Sequence, residues 1–458
     1  MSIIRQSSSL QAFLGPSAVN FVEYAADSIR RLLPHVEVSS WSEGSWESAG
    51  CTWTSTGRRE FRLTIAIGER DEIHSRSLVA NVKRRNIPGA SSVASEIIDS
   101  REHDICNLIV RRISHVLSSS SAISQDDVSL KAILAEFDEY VVAAHIQKHH
   151  DLKLPVSEVL GALHKLSEQS YENKALTFGC VLDPGNRQIV EDVTFPEDYL
   201  SSKRYKALSD GFRTAYLIST YGQVVDFIDL DRYGKMKLSE RNHFPDWAEP
   251  MARMSRGGRC GIALSRQGDI LVFDEGTLRF TYRYGQWQYW NHTHLIKLLR
   301  DRAKAQGVQK KVLGRVVGAI YRAALDVSFR RSGGLFVVLH HRHSLHEIVR
   351  QGDAVTDGSR RGTDASFDAV FSGKKIQFTS RSILVELASL DGAVVLENSG
   401  KIVAYGAVLR PKKSGKLIGA EGSRTKAAIG ASNYGLAVKI SSDGDISVFH
   451  EGKTFIRV

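Results

Sequence analysis

The chain has 458 residues, with 61 Lys and Arg against 51 Asp and Glu, for a formal net charge of +10. A hydrophobic share of 42% and a charged share of 24% are those of a globular protein and exclude global disorder, a collagen-like chain and a disulfide scaffold. At roughly 100–200 residues per domain, the length predicts about two to four domains.

Cys51, Cys106, Cys180 and Cys260 show no paired spacing and read as reduced core thiols, not as a zinc site. No stretch approaches the ~18 apolar residues that span a bilayer. Phe13-Leu14 is too short an apolar core for a signal peptide, and Glu23 and Asp27 follow it. A cytoplasmic protein without a membrane span is expected.

In chain order, the spacing predicts a helix over Val19–Leu33, a strand over Glu60–Ile67 and a second helix over Ile97–Leu117. The run Ser118–Ser121 reads as a linker, closing an N-terminal α/β unit over 1–120. A further helix is predicted over Asp126–His149. The pair His149-His150 suits a helix C-terminus electrostatically, and a metal role is not expected, because neighbours on a helix do not share a face.

From about Leu176 the chain becomes strand-rich. Thr214–Leu217 and Val224–Leu230 flank Tyr221-Gly222 as in a hairpin, and Gly261–Leu264 and Ile270–Phe273 flank Gln267-Gly268-Asp269. The aromatic run Phe280, Tyr282, Tyr284, Trp287, Tyr289, Trp290, interleaved with Arg279 and Arg283, reads as a half-buried strand in preference to a base-stacking surface. These elements form a middle, sensor-like domain over 126–290.

Leu295–Phe329 predicts one or two helices. Strands are expected at Leu335–Leu339, Ala393–Leu396, Ile402–Val408, Ala437–Ile440 and Ile446–Phe449, which makes 295–458 a compact α/β domain. Ile296–Arg350 holds twelve Lys and Arg and three Asp and Glu, so most of the net charge sits there. Such an element suits a local anionic partner or a solvated face, and with no base-reading motif beside it nucleic-acid binding is not expected. His292-Thr293-His294 and His341-Arg342-His343 have strand spacing and read as surface histidines, not metal ligands. Asp353–Asp364 reads as a loop inserted near the nucleotide site.

Three pieces of this last domain carry chemistry. Arg331–Leu339 is a helix end running into a buried strand. Asp391-Gly392 lies between a short apolar helix and a strand, where a carboxylate can hold a divalent cation or orient a hydroxyl and a glycine lets a ligand approach the backbone. Gly422-Ser423-Arg424-Thr425-Lys426 offers backbone N–H groups, two hydroxyls and two cations before a predicted helix, a phosphate-binding composition that lacks the Gly-Lys-Ser/Thr ending of a P-loop.

Together and in this order the pieces resemble the diadenylate cyclase domain family, nearest to its DNA-integrity-scanning branch. Asp391-Gly392-Ala393 matches that family's Asp-Gly-Ala motif. Its Gly-Thr-Arg-His-Arg motif matches at Gly422 and Arg424, with Ser423 for Thr, Thr425 for His and Lys426 for Arg. The family's Glu pair is replaced by the turn Ser441-Ser442-Asp443-Gly444.

The resemblance implies condensation of two ATP molecules to cyclic di-AMP with Mg2+ or Mn2+, two domains meeting face to face. It implies that Asp391 serves as the catalytic and metal-binding carboxylate. Gly392, Ala393, Gly422, Ser423, Arg424, Thr425 and Lys426 would contact nucleotide. The alternative is a catalytically impaired sensor that binds ATP or a cyclic dinucleotide, since Lys426 lacks the fork of Arg and Thr425 lacks an imidazole. Pairing is expected either as a homo-oligomer or within the chain, with the middle domain.

The middle region echoes the C-terminal one. Gly261–Phe273 resembles Gly435–Phe449, both continue through a Glu-Gly pair, and Asp210-Gly211 corresponds to Asp391-Gly392. On this reading the middle domain is a degenerate copy with Arg256–Arg259 in place of the phosphate motif, and the whole chain is an α/β protein ending in a mixed-sheet domain.

Overall fold

A computed structural model describes residues 22–54, 58–67, 76–84, 98–118, 136–171, 173–185, 195–197, 200, 202–233, 239, 241–355, 370–410 and 422–457. The chain is a mixed α/β protein that divides into two compact units. The first is Met1–Asn86, Glu96–Asn242 and Trp247–Trp290; the second is Ile87–Ser95, His243–Asp246 and Asn291–Val458. Ser119–Ser121 and the first part of the helix predicted from Asp126 lie outside the described residues, as do residues 356–364 of the predicted loop.

The first unit opens with helix α1 (22–32) and a five-stranded sheet of β1 (Val36–Val38), β2 (Ser42–Gly44), β3 (Gly50–Trp53), β4 (Glu60–Ile67) and β5 (Arg76–Arg84), covered by α2 (Ser100–Ser118). α3 (Phe137–His149), α4 (Val156–Ser167) and a short ribbon, β6 (Ser170–Tyr171) with β7 (Lys174–Ala175), follow. A seven-stranded sheet completes the unit in the order β10-β9-β8-β11-β12-β13-β14. Its strands are β8 (Phe178–Asp183), β9 (Thr214–Ser219), β10 (Val224–Asp229), β11 (Cys260–Leu264), β12 (Ile270–Asp274), β13 (Thr277–Arg283) and β14 (Gln286–Tyr289), with α5 (Glu249–Met254) before β11. The aromatic run is a hairpin. Phe280, Trp287, Tyr289 and Trp290 enter the core, while Tyr284 is exposed at the turn. Arg283 is held against the buried Asp269 at 3.3 Å.

Three cysteines are buried and Cys51 is half-buried, and all four are free thiols. Burial raises the pKa of each, Cys180 to about 12, so they stay protonated and inert.

The second unit begins with α6 (His292–Ala305) and α7 (Leu313–Arg330). Its sheet has the order β17-β16-β15-β18-β19-β20, formed by β15 (Gly334–Leu339), β16 (Ala393–Leu396), β17 (Ile402–Ala407), β18 (Gly435–Ile440), β19 (Ile446–His450) and β20 (Lys453–Arg457). α8 (Arg381–Ser389) precedes β16 and α9 (Ser423–Ala431) precedes β18. β15 is buried along its whole length. On one face Leu335, Val337 and Leu339 pack with Ala428, Ile429 and Ala431 of α9, and on the other lie α7 and α8. Each fully buried aliphatic side chain of this layer contributes roughly 1.5–3 kcal/mol. Lys310, Lys311, Arg315 and Arg330 of the basic run are exposed.

The histidine pairs depart from expectation. His292 and His294 are buried at the start of α6, not on a surface strand, because the Asn291 side chain accepts the His294 N–H at 3.0 Å and caps a helix there. His341 and His343 are exposed, but on a 3₁₀ turn after β15.

The seven- and six-stranded sheets repeat one topology. A central strand (β8, β15) runs parallel to the next (β9, β16), which pairs antiparallel with a third (β10, β17). On its other side the central strand pairs antiparallel with β11 or β18, and two further antiparallel strands follow in both sheets, with β14 added as a third in the seven-stranded one. The turns agree in detail. Ser265 N–H donates to the Asp269 carbonyl at 2.8 Å, and Ser441 N–H to that of Asp445 at 2.9 Å. Ser255 and Ser432 end the two equivalent helices, and their hydroxyls accept the N–H of Gly276 and Gly452 at 3.1 and 2.9 Å.

The helix pairs correspond as well. Leu152 N–H donates to the Gln147 carbonyl and Val308 N–H to that of Ala303, both at 3.0 Å, which aligns His149 with Ala305 and His150 with Gln306.

The register also corrects the sequence alignment. Leu264 faces Ile270 as Ile440 faces Ile446, so Gly261 corresponds to Ala437 and not to Gly435. Arg256–Arg259 follows the helix end at Ser255 and does not stand where the phosphate motif should be. Counting back from Ser255 and Ser432, Arg424 corresponds to Trp247, Thr425 to Ala248 and Lys426 to Glu249.

Candidate functional site

The predicted residues gather at one edge of the second unit, where β15 and β16 begin. These strands are parallel with Phe336 opposite Val394. Continuing that register back on both strands aligns Asp391 with Gly333. Asp391 follows α8, is exposed, and accepts no hydrogen bond or ion pair from the described residues. Gly392 has φ +110°, and a Cβ there would lie 2.5 Å from the Gly406 carbonyl carbon and 2.7 Å from the Ala407 nitrogen. Only glycine fits so close to β17. The Ala393 methyl belongs to the core cluster beneath the sheet, so outward it presents backbone alone. Of the three motif residues, Asp391 is the one with free side-chain chemistry.

α9 brings the second motif to the same edge. Gly422 is its exposed N-cap, in extended conformation, and its carbonyl accepts the N–H groups of Thr425 and Lys426 at 3.0 and 3.1 Å. The N–H groups of Ser423 and Arg424 have no partner among the described residues, and the positive end of the helix dipole is there. Ser423 and Lys426 are exposed, Arg424 and Thr425 half-buried. The Arg424 guanidinium lies against Gly333, where a Cβ would overlap it, and it forms no ion pair among the described residues. An unpaired cation, an unpaired carboxylate and two free N–H groups therefore line one edge, a donor set suited to a polyphosphate and its cation.

Sequence reasoning included Gly333 and Ser332 in the stretch Arg331–Leu339 but gave neither a role, and that of Gly333 depends on the tertiary position of Arg424. It also gave no role to Ser389, whose hydroxyl bonds that of Ser332 at 2.9 Å on the exposed side of the same edge.

The equivalent place in the first unit carries no carboxylate: the registers of β8, β9 and β11 set Arg213, not Asp210, at the position of Asp391, and the expected match of Asp210-Gly211 with Asp391-Gly392 is three residues out. Asp210 Oδ1 accepts the N–H groups of Phe212, Arg213 and Thr214 at 2.9, 2.8 and 3.0 Å. Burial opposes its ionisation, but these backbone bonds and the Thr214 hydroxyl outweigh it and hold its pKa below the usual value. Asp210 is thus committed to its turn. Trp247, at the position of Arg424, packs edge-on against Phe212 with ring centroids 4.8 Å apart. Two aromatic rings thus stand at the positions that Leu390 and Arg424 hold in the second unit.

A cavity of about 700 Å³ in the first unit, lined by residues including Tyr24, Glu139, His164, Tyr282 and Trp287, contains none of the predicted site residues. No described helix is long and apolar enough to cross a membrane.

No family model and no curated protein matches the chain. Among solved structures it is similar to a double mutant of DacA from Staphylococcus aureus, with 24% identity and a TM-score of 0.24, over 32% of this chain and 90% of that one. It is also similar to a hypothetical membrane spanning protein from Bacillus cereus, with 20% identity and a TM-score of 0.24, over 36% of this chain and 76% of that one.

Proposed function

We propose that the second unit is a nucleotide-binding domain of the diadenylate cyclase type, taking ATP at the edge formed by β15, β16 and the start of α9. The observation that carries this reading is the placement of Arg424 over Gly333, which the β15–β16 register sets beside the free carboxylate of Asp391. Arg424 and the N–H groups that open α9 hold phosphate oxygens, Ser423 and Lys426 add contacts from the exposed side, and Asp391 orients an attacking 3′-hydroxyl. An exposed, unpaired carboxylate fits Mg2+ or Mn2+, which such sites bind through one or two carboxylates and the substrate phosphates. When bound, the ion neutralises phosphate charge.

Condensing two ATP molecules into cyclic di-AMP requires two such edges. Among the described residues the chain carries one, because the first unit has Arg213 at the position of Asp391 and Trp247 at that of Arg424. Synthesis therefore requires a second copy of the chain, and pairing with the middle domain does not supply it.

A second reading, binding without turnover, is favoured by Thr425 and Lys426 in the first turn of α9, where neither an imidazole nor a bidentate fork is present. Incubating the pure chain with labelled ATP and Mn2+ and separating the products by chromatography distinguishes the two. Cyclic di-AMP identifies an enzyme. Unchanged ATP with measurable binding identifies a sensor, and neither product nor binding refutes both.

A further inference from the structure

We propose that His149, His150 and Asp274, in the first unit, form a binding site for a divalent transition metal of the zinc class. The sequence argued against this, since neighbouring residues on a helix point apart. α3, however, ends at His149, and His150 is its C-cap, with the two imidazoles edge to face and their centroids 5.1 Å apart. Asp274, at the end of β12, then faces both. His149 Nε2 lies 3.6 Å from Asp274 Oδ2, and His150 Nε2 lies 3.6 Å from Asp274 Oδ1. Three ligand atoms, one from each residue, fall within 4.8 Å of one another. Bonds of about 2.0–2.1 Å at tetrahedral angles separate ligand atoms by roughly 3.3–3.4 Å, so closure needs only small side-chain movements.

Two observations support a ligand role over a packing role. His150 Nδ1 lies 2.8 Å from the Gly258 carbonyl. That contact makes Nδ1 the donor and leaves the Nε2 lone pair directed at Asp274, the arrangement by which metal-binding histidines are oriented. The second copy of the fold shows what the architecture itself demands. There His149, His150 and Asp274 correspond to Ala305, Gln306 and His450, so the fold stands without the two imidazoles and without the buried carboxylate. Two imidazoles and one carboxylate select zinc and its neighbours over Mg2+ or Ca2+, and three protein ligands leave a coordination position open.

Arg101 competes for the place. Its Nη2 lies 2.5 Å from Asp274 Oδ2 and 3.1 Å from His149 Nε2, and Arg279 approaches the same carboxylate at 3.9 Å. Metal entry therefore displaces the Arg101 guanidinium from the first turn of α2, and removing that guanidinium strengthens metal binding.

The test uses the full chain, stripped with a chelator and titrated with Co2+ and then Zn2+. Metal is counted by mass spectrometry, and tetrahedral coordination is read from the visible bands of Co2+. His149→Ala and His150→Gln introduce the residues that the second copy already carries, so folding is expected to survive, as circular dichroism would verify. One metal per parent chain is expected, with affinity at least tenfold weaker in either variant and higher in Arg101→Ala. Metal binding unchanged in both histidine variants would place it elsewhere on the chain and overturn the proposal. So would the absence of stoichiometric binding by the parent, including the case where Arg101→Ala alone binds.

Discussion

The Arg424 guanidinium lies against Gly333, a residue with φ +68° at which a Cβ would overlap it. The parallel register of β15 and β16 makes Gly333 the neighbour of Asp391, so one glycine ties the two charged groups to a single edge. Gly333→Ala is predicted to displace Arg424, and the positive φ adds a cost of about 1–2 kcal/mol. ATP affinity should fall together with thermal stability. Retained affinity in a folded Gly333→Ala variant would show that Arg424 does not contact nucleotide from this position.

Asp391 and Asp210 are predicted to respond in opposite ways to the same substitution. Asp391 is exposed and unpaired among the described residues, so Asp391→Asn should leave stability unchanged and abolish product formation. Asp210 accepts three backbone N–H groups, so Asp210→Asn should lower stability by about 1 kcal/mol at neutral pH and leave ATP binding intact. The checks are thermal unfolding and product chromatography on both variants.

The Asp210 difference should also depend on pH. Its pKa is lowered in the fold, so its carboxylate contributes stability that is present above the usual pKa of 3.8 and is lost as pH falls through the lower folded value. The gap between parent and Asp210→Asn, measured by denaturant unfolding, should be constant near neutrality and shrink in acid. A gap that widens as pH falls would contradict the hydrogen-bonding account.

Restoring the family motif by Thr425→His with Lys426→Arg is predicted to raise turnover more than affinity. Ground-state phosphate contacts are supplied by Arg424 and the first turn of α9, whereas a bidentate Arg contributes most where charge accumulates during phosphoryl transfer. One charge-assisted contact of about 1.5–3 kcal/mol corresponds to roughly a tenfold to hundredfold gain in rate. Higher affinity with no product in parent or variant would favour the sensor reading.

The C-terminal strands were legible because their apolar runs are bounded by glycine turns, and the observed β15–β19 differ from the predicted spans by at most two residues at an end. The order of motifs also placed Asp391 and Arg424 in one domain. The register of the internal repeat was not legible, since Gly261 and Gly435 look alike in sequence while the strand registers make Gly261 the counterpart of Ala437. The aromatic pair of Phe212 and Trp247 joins residues far apart in the chain, so no local pattern announces it. The convergence of His149 and His150 on Asp274 was not legible, because the rule that neighbours point apart holds within a helix, α3 ends at His149, and Asp274 lies far away in the chain.

Equilibrium dialysis of labelled ATP with Mn2+, comparing the parent chain with Arg424→Ala, decides whether this edge holds nucleotide phosphate. The account predicts saturable binding by the parent and a loss of about tenfold to hundredfold in the variant, as expected for removal of a charge-assisted phosphate contact of roughly 1.5–3 kcal/mol. Equal affinity in the two proteins, or no binding by the parent, would contradict it.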